Sequence, residues 1–387
     1  MSSATCRACG SDDIEVIVSL TGKAITSLAV TINAPTRVHH CQVCGHLSTV
    51  NQIDQEIYYS NVYDTVRDDA DDLMGVDSDG RPVYRIQRQS EALMQIGPLP
   101  DQGNLLDVGC GHGTFMRRFS EQMPGWNTWG YEVSHRYARN NISIGTFPDG
   151  KFDLVTSWYV LEHVEDPASL VSKMRDRITE RGTIVIAVPD VLANPIDVLS
   201  VDHLSHFTSR SLAGMIRRTG LHVNEMRSDA IPGTLLAVAS AQADTMPTMS
   251  VDDDATATTE LTKYWRNAEL ELRTFCGAQQ PQRRSIAIYG AGVYGAWMLA
   301  RCGLANDRFA CFVDMNRRKQ GSVFEGIPIV GPKDLPESIE CVLIGLRPES
   351  AEGAVQMKEL EGLECFRLPD WNPHLESRKN QVATCTK

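Results

Sequence analysis

Three sets of residues in this chain have types and spacings that could do chemistry. The first is four cysteines in two pairs, Cys6 with Cys9 and Cys41 with Cys44, each pair followed by a glycine, Gly10 or Gly45. A CxxC turn aims two thiolates at one point, and two such turns make a closed tetrahedral site suited to structural zinc. The alternatives are two unrelated pairs, or a redox CxxC, which needs only one pair. A zinc bound there contributes on the order of 10 kcal/mol of folding energy, in place of a core too small to fold alone. His39, His40 and His46 lie nearby and read as surface residues rather than ligands.

The second set is glycine at every second position, Gly109, Gly111 and Gly113, after the apolar run 105–108 and ahead of a helical pattern from Thr114. Glycine lets a backbone turn tightly and come close to a ligand, and a helix N-terminus beyond it offers unpaired N–H groups. The spacing is Gly-x-Gly-x-Gly. The Gly-x-Gly-x-x-Gly of a dinucleotide fingerprint occurs much later, at Gly290, Gly292 and Gly295. The third set is histidine. Imidazole titrates near neutral pH and takes a proton without large tuning, which makes His203 and then His163 the candidate bases. Asp202, adjacent to His203, could orient or charge it if the side chains converge. Packing or capping is the competing reading for both histidines.

The elements that must position these groups read in order. Residues 14–20 and 27–32 are β-like, giving a small β-rich module around the cysteines. The aromatic stretch 56–63 reads as packing at a domain junction, with a substrate-pocket wall as the alternative, and the acidic stretch 68–79 reads as a solvated loop. Helical spacing over 84–96 ends at Gly97-Pro98. The glycine turn then opens a run of α/β units: strand 105–108, helix 114–123, and strand 126–132 ending in Glu132. That acid lies roughly 20 residues past the glycines, where a βαβ unit puts a carboxylate on ribose hydroxyls. Strand 152–158, a helix over 168–178, strand 182–189, a helix over 212–219 capped by Thr208 or Ser209, and strands from 220 and over 233–239 follow. Residues 241–259 form a linker. Leu261, Trp265, Ala268, Leu272 and Phe275 then mark an amphipathic helix. Strands 285–289, 309–314 and 341–345 surround the second glycine turn.

The order LLDVGCGHG, YE, FDLV, LEHVEDP and RGTIVIAVP resembles the class I S-adenosylmethionine-dependent methyltransferases. The resemblance implies that Asp107, Gly109 and Gly111 hold the methionine end of that cofactor and Glu132 its ribose hydroxyls, with Trp158 added to the cofactor set. Only residues 135–149 stand where such enzymes have a helix, a strand and an acid near the adenine, so no adenine contact is assigned. With the cysteine module in front and IYGAGVYG and residues 313–332 behind, the chain resembles the zinc-bearing sugar C-methyltransferases. In that family the substrate is a nucleotide-linked keto-sugar and no NAD is used. The family's Tyr-x-Glu-His stretch is here Ser200-Val201-Asp202-His203: the histidine is kept, the acid shortened and the tyrosine replaced.

Composition sets the bounds. At 387 residues, with 42% hydrophobic and 22% charged, the chain expects two or three globular domains. A net charge of −12 argues against coating nucleic acid. The N-terminus lacks the apolar core of a signal peptide, no apolar run reaches the ~18 residues of a membrane span, and the expected location is the cytoplasm. Eleven cysteines there are thiols or metal ligands rather than disulfides. The expectation is an α/β protein: zinc module 1–50, seven-stranded Rossmann-like methyltransferase domain 51–240, linker and helix 241–284, and a second Rossmann-like domain 285–387. Its function would be S-adenosylmethionine-dependent C- or O-methylation of a sugar, nucleotide-linked in the leading reading, with structural zinc. The oligomeric state is left open. The alternatives are an NAD-dependent or bifunctional sugar oxidoreductase using GAGVYG, and a binding protein with a vestigial core.

Overall fold

The computed structural model describes residues 5–20, 22–51, 53, 58, 73–76, 82–242, 255–279 and 285–371. Of the aromatic stretch 56–63 only Tyr58 falls within these, and the linker residues 243–254 lie outside them. The first strands are β1 (Ile14–Leu20), β2 (Lys23–Ile25), β3 (Thr31–Asn33), β4 (Thr36–Cys41) and β5 (Leu47–Asn51). β1, β4 and β5 pair antiparallel, while β2 and β3 form a separate hairpin. Residues 27–30, expected to be β-like, are the turn of that hairpin, with Ala29 in the left-handed region at φ 63°. The two-residue period of β4 sends Thr36, Val38 and His40 inward. That corrects the reading of the histidines: His40 and His46 are buried, with His40 Nε2 3.1 Å from Thr258 Oγ1 and His46 Nδ1 3.3 Å from Ser211 Oγ.

A short hairpin, β6 (Leu73–Val76) with β7 (Pro82–Tyr84), occupies part of the stretch read as a solvated loop and leads into α1 (Arg85–Met94). The main sheet follows. Its elements are β8 (Gly103–Val108), α2 (Thr114–Gln122), β9 (Trp126–Glu132), β10 (Ile142–Ile144), β11 (Phe152–Trp158), α3 (Pro167–Arg175) and β12 (Ile178–Pro189). After the two-residue strand β13 (Ser205–His206) come α4 (Ser209–Arg218), β14 (His222–Arg227) and β15 (Thr234–Ser240). Seven strands lie in the order β10-β9-β8-β11-β12-β15-β14, parallel from β10 to β12, with β15 antiparallel to both its neighbours. This is a Rossmann-like α/β methyltransferase fold. Helices on both faces of the parallel strands explain the unbroken apolar runs of β8, β11 and β12. Thr208 caps α4 through a reciprocal pair with Ser211, and Asp166 caps α3 by accepting from Ser169 N at 2.9 Å.

The last part is α5 (Ala255–Gln279), β16 (Ser285–Tyr289), α6 (Val293–Arg301), β17 (Phe309–Val313), β18 (Val323–Phe324), β19 (Ile327–Val330), β20 (Ile339–Ile344), α7 (Pro348–Val355) and β21 (Glu364–Arg367). Six strands order as β18-β19-β17-β16-β20-β21, all parallel but the β18–β19 pair. Leu261, Trp265, Ala268, Leu272 and Cys276 of α5 form a helical stripe buried in the core that this sheet shares with β2 and the 191–199 segment.

Contacts between distant segments bind these parts together. β13 adds to the N-terminal sheet beside β5, with Ser205 opposite Ser48 and His206 opposite Leu47. Thr31 donates through its N–H and hydroxyl to the Glu325 carboxylate, at 3.0 and 2.6 Å. The indoles of Trp265 and Trp371 donate to Pro195 O and Leu192 O, both at 2.7 Å. Among the described residues no helix is long and apolar enough to cross a membrane.

Candidate functional site

From β8 the chain builds outward through β9 to β10, then crosses back to β11 on the other side of β8. The loops leaving β8 and β11 therefore part, and a ligand crevice is expected at the carboxyl ends of these strands. A cavity of about 430 Å³ opens there, lined by Asp107 and residues 109–111, 131–134 and 158–160 among others, a size usual for small-molecule sites. Gly109 shows why glycine is needed. Its φ is +75°, and a Cβ there would stand 2.2 Å from Val160 Cγ2. Its N–H and that of Cys110 both donate to Tyr131 O, at 2.8 and 3.2 Å, which fastens the turn to the end of β9.

Of the acids that line this cavity, which include Glu165, Asp107 and Glu132 stand at the ends of β8 and β9. Asp107, last but one in β8, accepts from Thr156 Oγ1 at 2.8 Å. Burial pushes its carboxyl up to about 7, against the lowering effect of that hydrogen bond and with Glu132 adding to the rise. Glu132 ends β9 and accepts from Gly111 N at 3.0 Å, Val133 N at 2.7 Å and Ser134 N at 3.2 Å. A carboxylate offers about four lone-pair positions, so one remains for a hydroxyl. Two lining side chains carry buried polar atoms with no hydrogen-bond partner among the described residues, Trp158 Nε1 and Gln89 Oε1. Two acids, an idle donor, an idle acceptor and the aromatic walls Phe115, Tyr137 and Trp158 suit a cofactor that joins positive charge, ribose hydroxyls and an aromatic base.

Sequence reasoning missed Gln89 and Tyr159. Tyr159 sits in the left-handed region at φ 58°, a costly conformation for a non-glycine. Its hydroxyl lies 2.8 Å from Thr234 Oγ1, and the Arg85 guanidinium stands 5.3 Å over its ring. The short stretch after Glu132 contains a single 3₁₀ turn, His135–Tyr137, and the three residues of β10.

The candidate bases separate by position. His163 lines the cavity; its Nδ1 is 3.2 Å from Asp202 O, which leaves Nε2 as the acceptor. His203 is buried behind it, ring against ring at 4.6 Å, edge to face. The carboxylate against His203 Nδ1 is that of Asp197, at 2.6 Å, rather than the adjacent Asp202. The Asp202 carboxylate accepts from Ser27 N at 2.7 Å, Ser27 Oγ at 2.6 Å and Tyr58 OH at 3.2 Å. Burial opposes charge on His203, but Asp197 outweighs it and the ring is raised to about 9. Burial and then the His203 charge push His163 down to about 4. At neutral pH the inner ring is a cation and the ring on the cavity wall is neutral. Burial raises the carboxyl of Glu162, next to His163, to about 8, and its Oε2 has no partner.

The four N-terminal cysteines converge. Their sulfurs lie within 4.8 Å of one another, with Cys6 to Cys44 at 3.6 Å and Cys9 to Cys41 at 3.5 Å. A zinc at ~2.3 Å from each of four sulfurs sets them roughly 3.8 Å apart, so the donor set fits that ion. Two other clusters contain metal-ligand types, Glu162 with His163 and His203, and Asp197 with His203 and His206. In the second, both ring nitrogens are spent on the carboxylate at 2.6 and 2.8 Å. A metal there would have to displace the protons that Asp197 holds on the two Nδ1 atoms.

The second glycine turn is built differently. Asp314, just past β17, accepts from Ala291 N at 3.0 Å and Asn316 N at 2.8 Å, and Lys319 Nζ donates to Ala291 O at 2.7 Å. A Cβ on Gly295 would lie 2.0 Å from Gly290 O, and one on Gly290 2.6 Å from Gly345 O. These glycines serve contact of the protein with itself.

Comparison with known proteins agrees with this layout. Residues 83–225 match the family described as a methyltransferase domain, and residues 249–357 match the C-methyltransferase C-terminal domain. The chain is 22% identical to the C-methyltransferase NovU of Streptomyces niveus, over 94% of this chain and 95% of that protein. Among solved structures it is similar to the complex of the Haloferax volcanii Trm112 methyltransferase activator with its putative methyltransferase, at 19% identity. That likeness covers 41% of this chain and 91% of the other, with a TM-score of 0.35. It is also similar to CalO1, a methyltransferase in calicheamicin biosynthesis bound to SAH, at 17% identity, 41% and 54% coverage and a TM-score of 0.34.

Proposed function

The chain is an S-adenosylmethionine-dependent methyltransferase, and we propose that it methylates carbon in a keto-sugar carried on a nucleotide. The observation that carries this reading is the place of His163. It lines the same cavity as Asp107 and Glu132, and its Nδ1 is held against Asp202 O, so Nε2 is the ring atom that can take a proton. Similarity to a C-methyltransferase along nearly the full chain supports carbon as the acceptor. The sugar rests on the resemblance of the three-part layout to the zinc-bearing sugar enzymes; of their Tyr-x-Glu-His stretch this chain keeps only the histidine, His203.

When bound, S-adenosylmethionine supplies an electrophilic methyl group. This chain's residues do the rest. Asp107 and the turn at Gly109 and Gly111 take the methionine end, Glu132 the ribose hydroxyls, and Trp158 and Gln89 offer the idle donor and acceptor. His163 Nε2 removes the proton alpha to the ketone, so that the carbon becomes nucleophilic. The positive charge on His203, one ring behind, keeps His163 unprotonated beforehand and favours the negative charge that develops on the substrate. Holding the two reactants in line supplies several kcal/mol more. The four cysteines hold structural zinc, with no open position for substrate. The second glycine turn, closed by Asp314 and Lys319, is read as structural rather than as an NAD site.

Incubation with nucleotide-linked 4-keto-sugars in D₂O is expected to give donor-dependent methylation and, without donor, deuterium exchange at the alpha carbon. His163→Ala should lose both by roughly 10²–10⁴ while its affinity for S-adenosylmethionine stays within about twofold of the wild-type value. Methylation at a hydroxyl, or full activity in that variant, would sink the reading. Elemental analysis should find one zinc per chain, lost in Cys41→Ser.

A further inference from the structure

Behind the cavity, a buried row of side chains runs from His203 away from the site. The carboxylate of Asp197 is clamped from both sides, by His203 Nδ1 at 2.6 Å on Oδ1 and by His206 Nδ1 at 2.8 Å on Oδ2. An ionised carboxylate only accepts, so both Nδ1 atoms carry protons there. His206 Nε2 is in turn 2.7 Å from Thr49 Oγ1. Asp197, His203, His206 and Thr49 are all almost wholly buried. The row thus begins on β5 of the N-terminal sheet and ends on the ring that touches His163.

The backbone holds the row rigid. β13 carries His206 and pairs with β5, Thr49 N donates to Leu204 O at 3.1 Å, and Leu204 N donates to Glu162 O. Val201 N donates to Ile25 O at 2.8 Å. The turn carrying Asp197 is tied from the other side by the indole of Trp265 on Pro195 O. Buried networks of this kind are costly to leave half made, and a carboxylate on the far nitrogen of a histidine fixes how the near nitrogen is used.

We propose that Asp197 and His206 are positioning residues that set the orientation and charge of His203, and through it the readiness of His163, with Thr49 as the anchor in the N-terminal sheet. The proposal rests on the reading of His163 as the base. Charged or titratable groups face His203 from every neighbouring element: Asp197 on its turn, Asp202 on its own loop, Glu162 and His163 after β11, and His206 on β13. Asp202 is held by Ser27 and Tyr58, and Glu162 feels Arg85. Of these, Asp197 is the acid in direct contact with the ring nitrogen.

The test uses the full chain with ¹⁵N-labelled histidine, and compares wild type with Asp197→Asn, Asp197→Glu, His206→Gln and Thr49→Val. In the wild type, His203 should stay protonated well above neutral pH. In Asp197→Asn it should titrate below neutral, and in Asp197→Glu it should recover in part. On a keto-sugar substrate kcat should fall 10- to 100-fold in Asp197→Asn and about 3- to 10-fold in His206→Gln, with KM and donor affinity within twofold, and the pH profile should shift. Thr49→Val, the mildest change, should fold and move the His203 titration in the same sense. A His203 titration that is the same in folded Asp197→Asn or Thr49→Val as in wild type would overturn the proposal. The ring titration needs no turnover. Altered titration with no methylation of any keto-sugar would therefore overturn the proposed function and leave the positioning role standing.

Discussion

Two strand–glycine turn–helix units stand in this chain, one at residues 109–113 and one at 290–295, and they solve the same steric problem for different neighbours. At the first, the carboxylates at the ends of β8 and β9 face a cavity, and two polar atoms nearby are idle. At the second, the corresponding acid, Asp314, turns back onto Ala291 N, and the Lys319 ammonium caps Ala291 O. Gly295 is small because α6 lies against the carbonyl of Gly290. The difference teaches that glycine spacing reports a close approach to backbone and does not say what approaches. The neighbour can be a ligand or the next strand. What tells them apart is whether the adjacent acids and amides are already satisfied by the protein.

Substitutions can break this contrast. The largest effect is expected at the first turn. Gly109→Ala puts a Cβ 2.2 Å from Val160 Cγ2 at a φ of +75°, and should weaken S-adenosylmethionine binding by ~100-fold or more, about 2.7 kcal/mol by calorimetry. Retained affinity would erase the contrast. Gly295→Ala should do the opposite, costing roughly 1–3 kcal/mol in the unfolding transition through overpacking while donor affinity stays within twofold.

Titration sharpens the first turn further. Between pH 3.8, the ordinary value, and about 7, folded Asp107 keeps a proton that the unfolded chain has lost. Without donor, stability therefore declines as pH rises through that window. The ionised carboxylate attracts a cationic donor, so affinity should climb about tenfold from pH 6 to pH 8 and then level off; a flat profile would remove Asp107 from the donor site. The smallest effect is expected at Asp314→Asn, with donor affinity unchanged within twofold and no NAD binding by calorimetry in either protein. NAD binding that Asp314→Asn abolishes would make the second turn a nucleotide site after all.

The fold was legible where local pattern and tertiary place agree. The apolar runs of β8, β11 and β12 and the stripe on α5 state their own burial, and the glycine turn states its own shape. Thr208 or Ser209 marks the start of α4 by residue type, and the cap falls on Thr208. What stayed hidden depends on contacts between distant parts. Asp197 lies in an apolar stretch with no motif, and its importance comes from two histidines six and nine residues on whose rings fold back to it. Asp202 is adjacent to His203 in sequence, yet its carboxylate is taken by Ser27, 175 residues away. Histidine near cysteine reads as surface by composition, but the register of β4 buries His40. The spacing of the four cysteines, in contrast, stated in advance that their sulfurs would meet.

The two residues of β13 have a consequence for the order in which the chain is built. β5 presents an open edge until Ser205 and His206 arrive to pair with it, and they are synthesised roughly 150 residues later. At ~5–20 residues per second, the N-terminal meander waits about 10–30 s on the ribosome with that edge bare. Exposed edges recruit other strands. The strand that closes this one carries His206 itself, so the residue that completes the N-terminal sheet is also the one that seats Asp197. A nascent chain stalled before residue 205 would leave both the edge and the carboxylate without their partner.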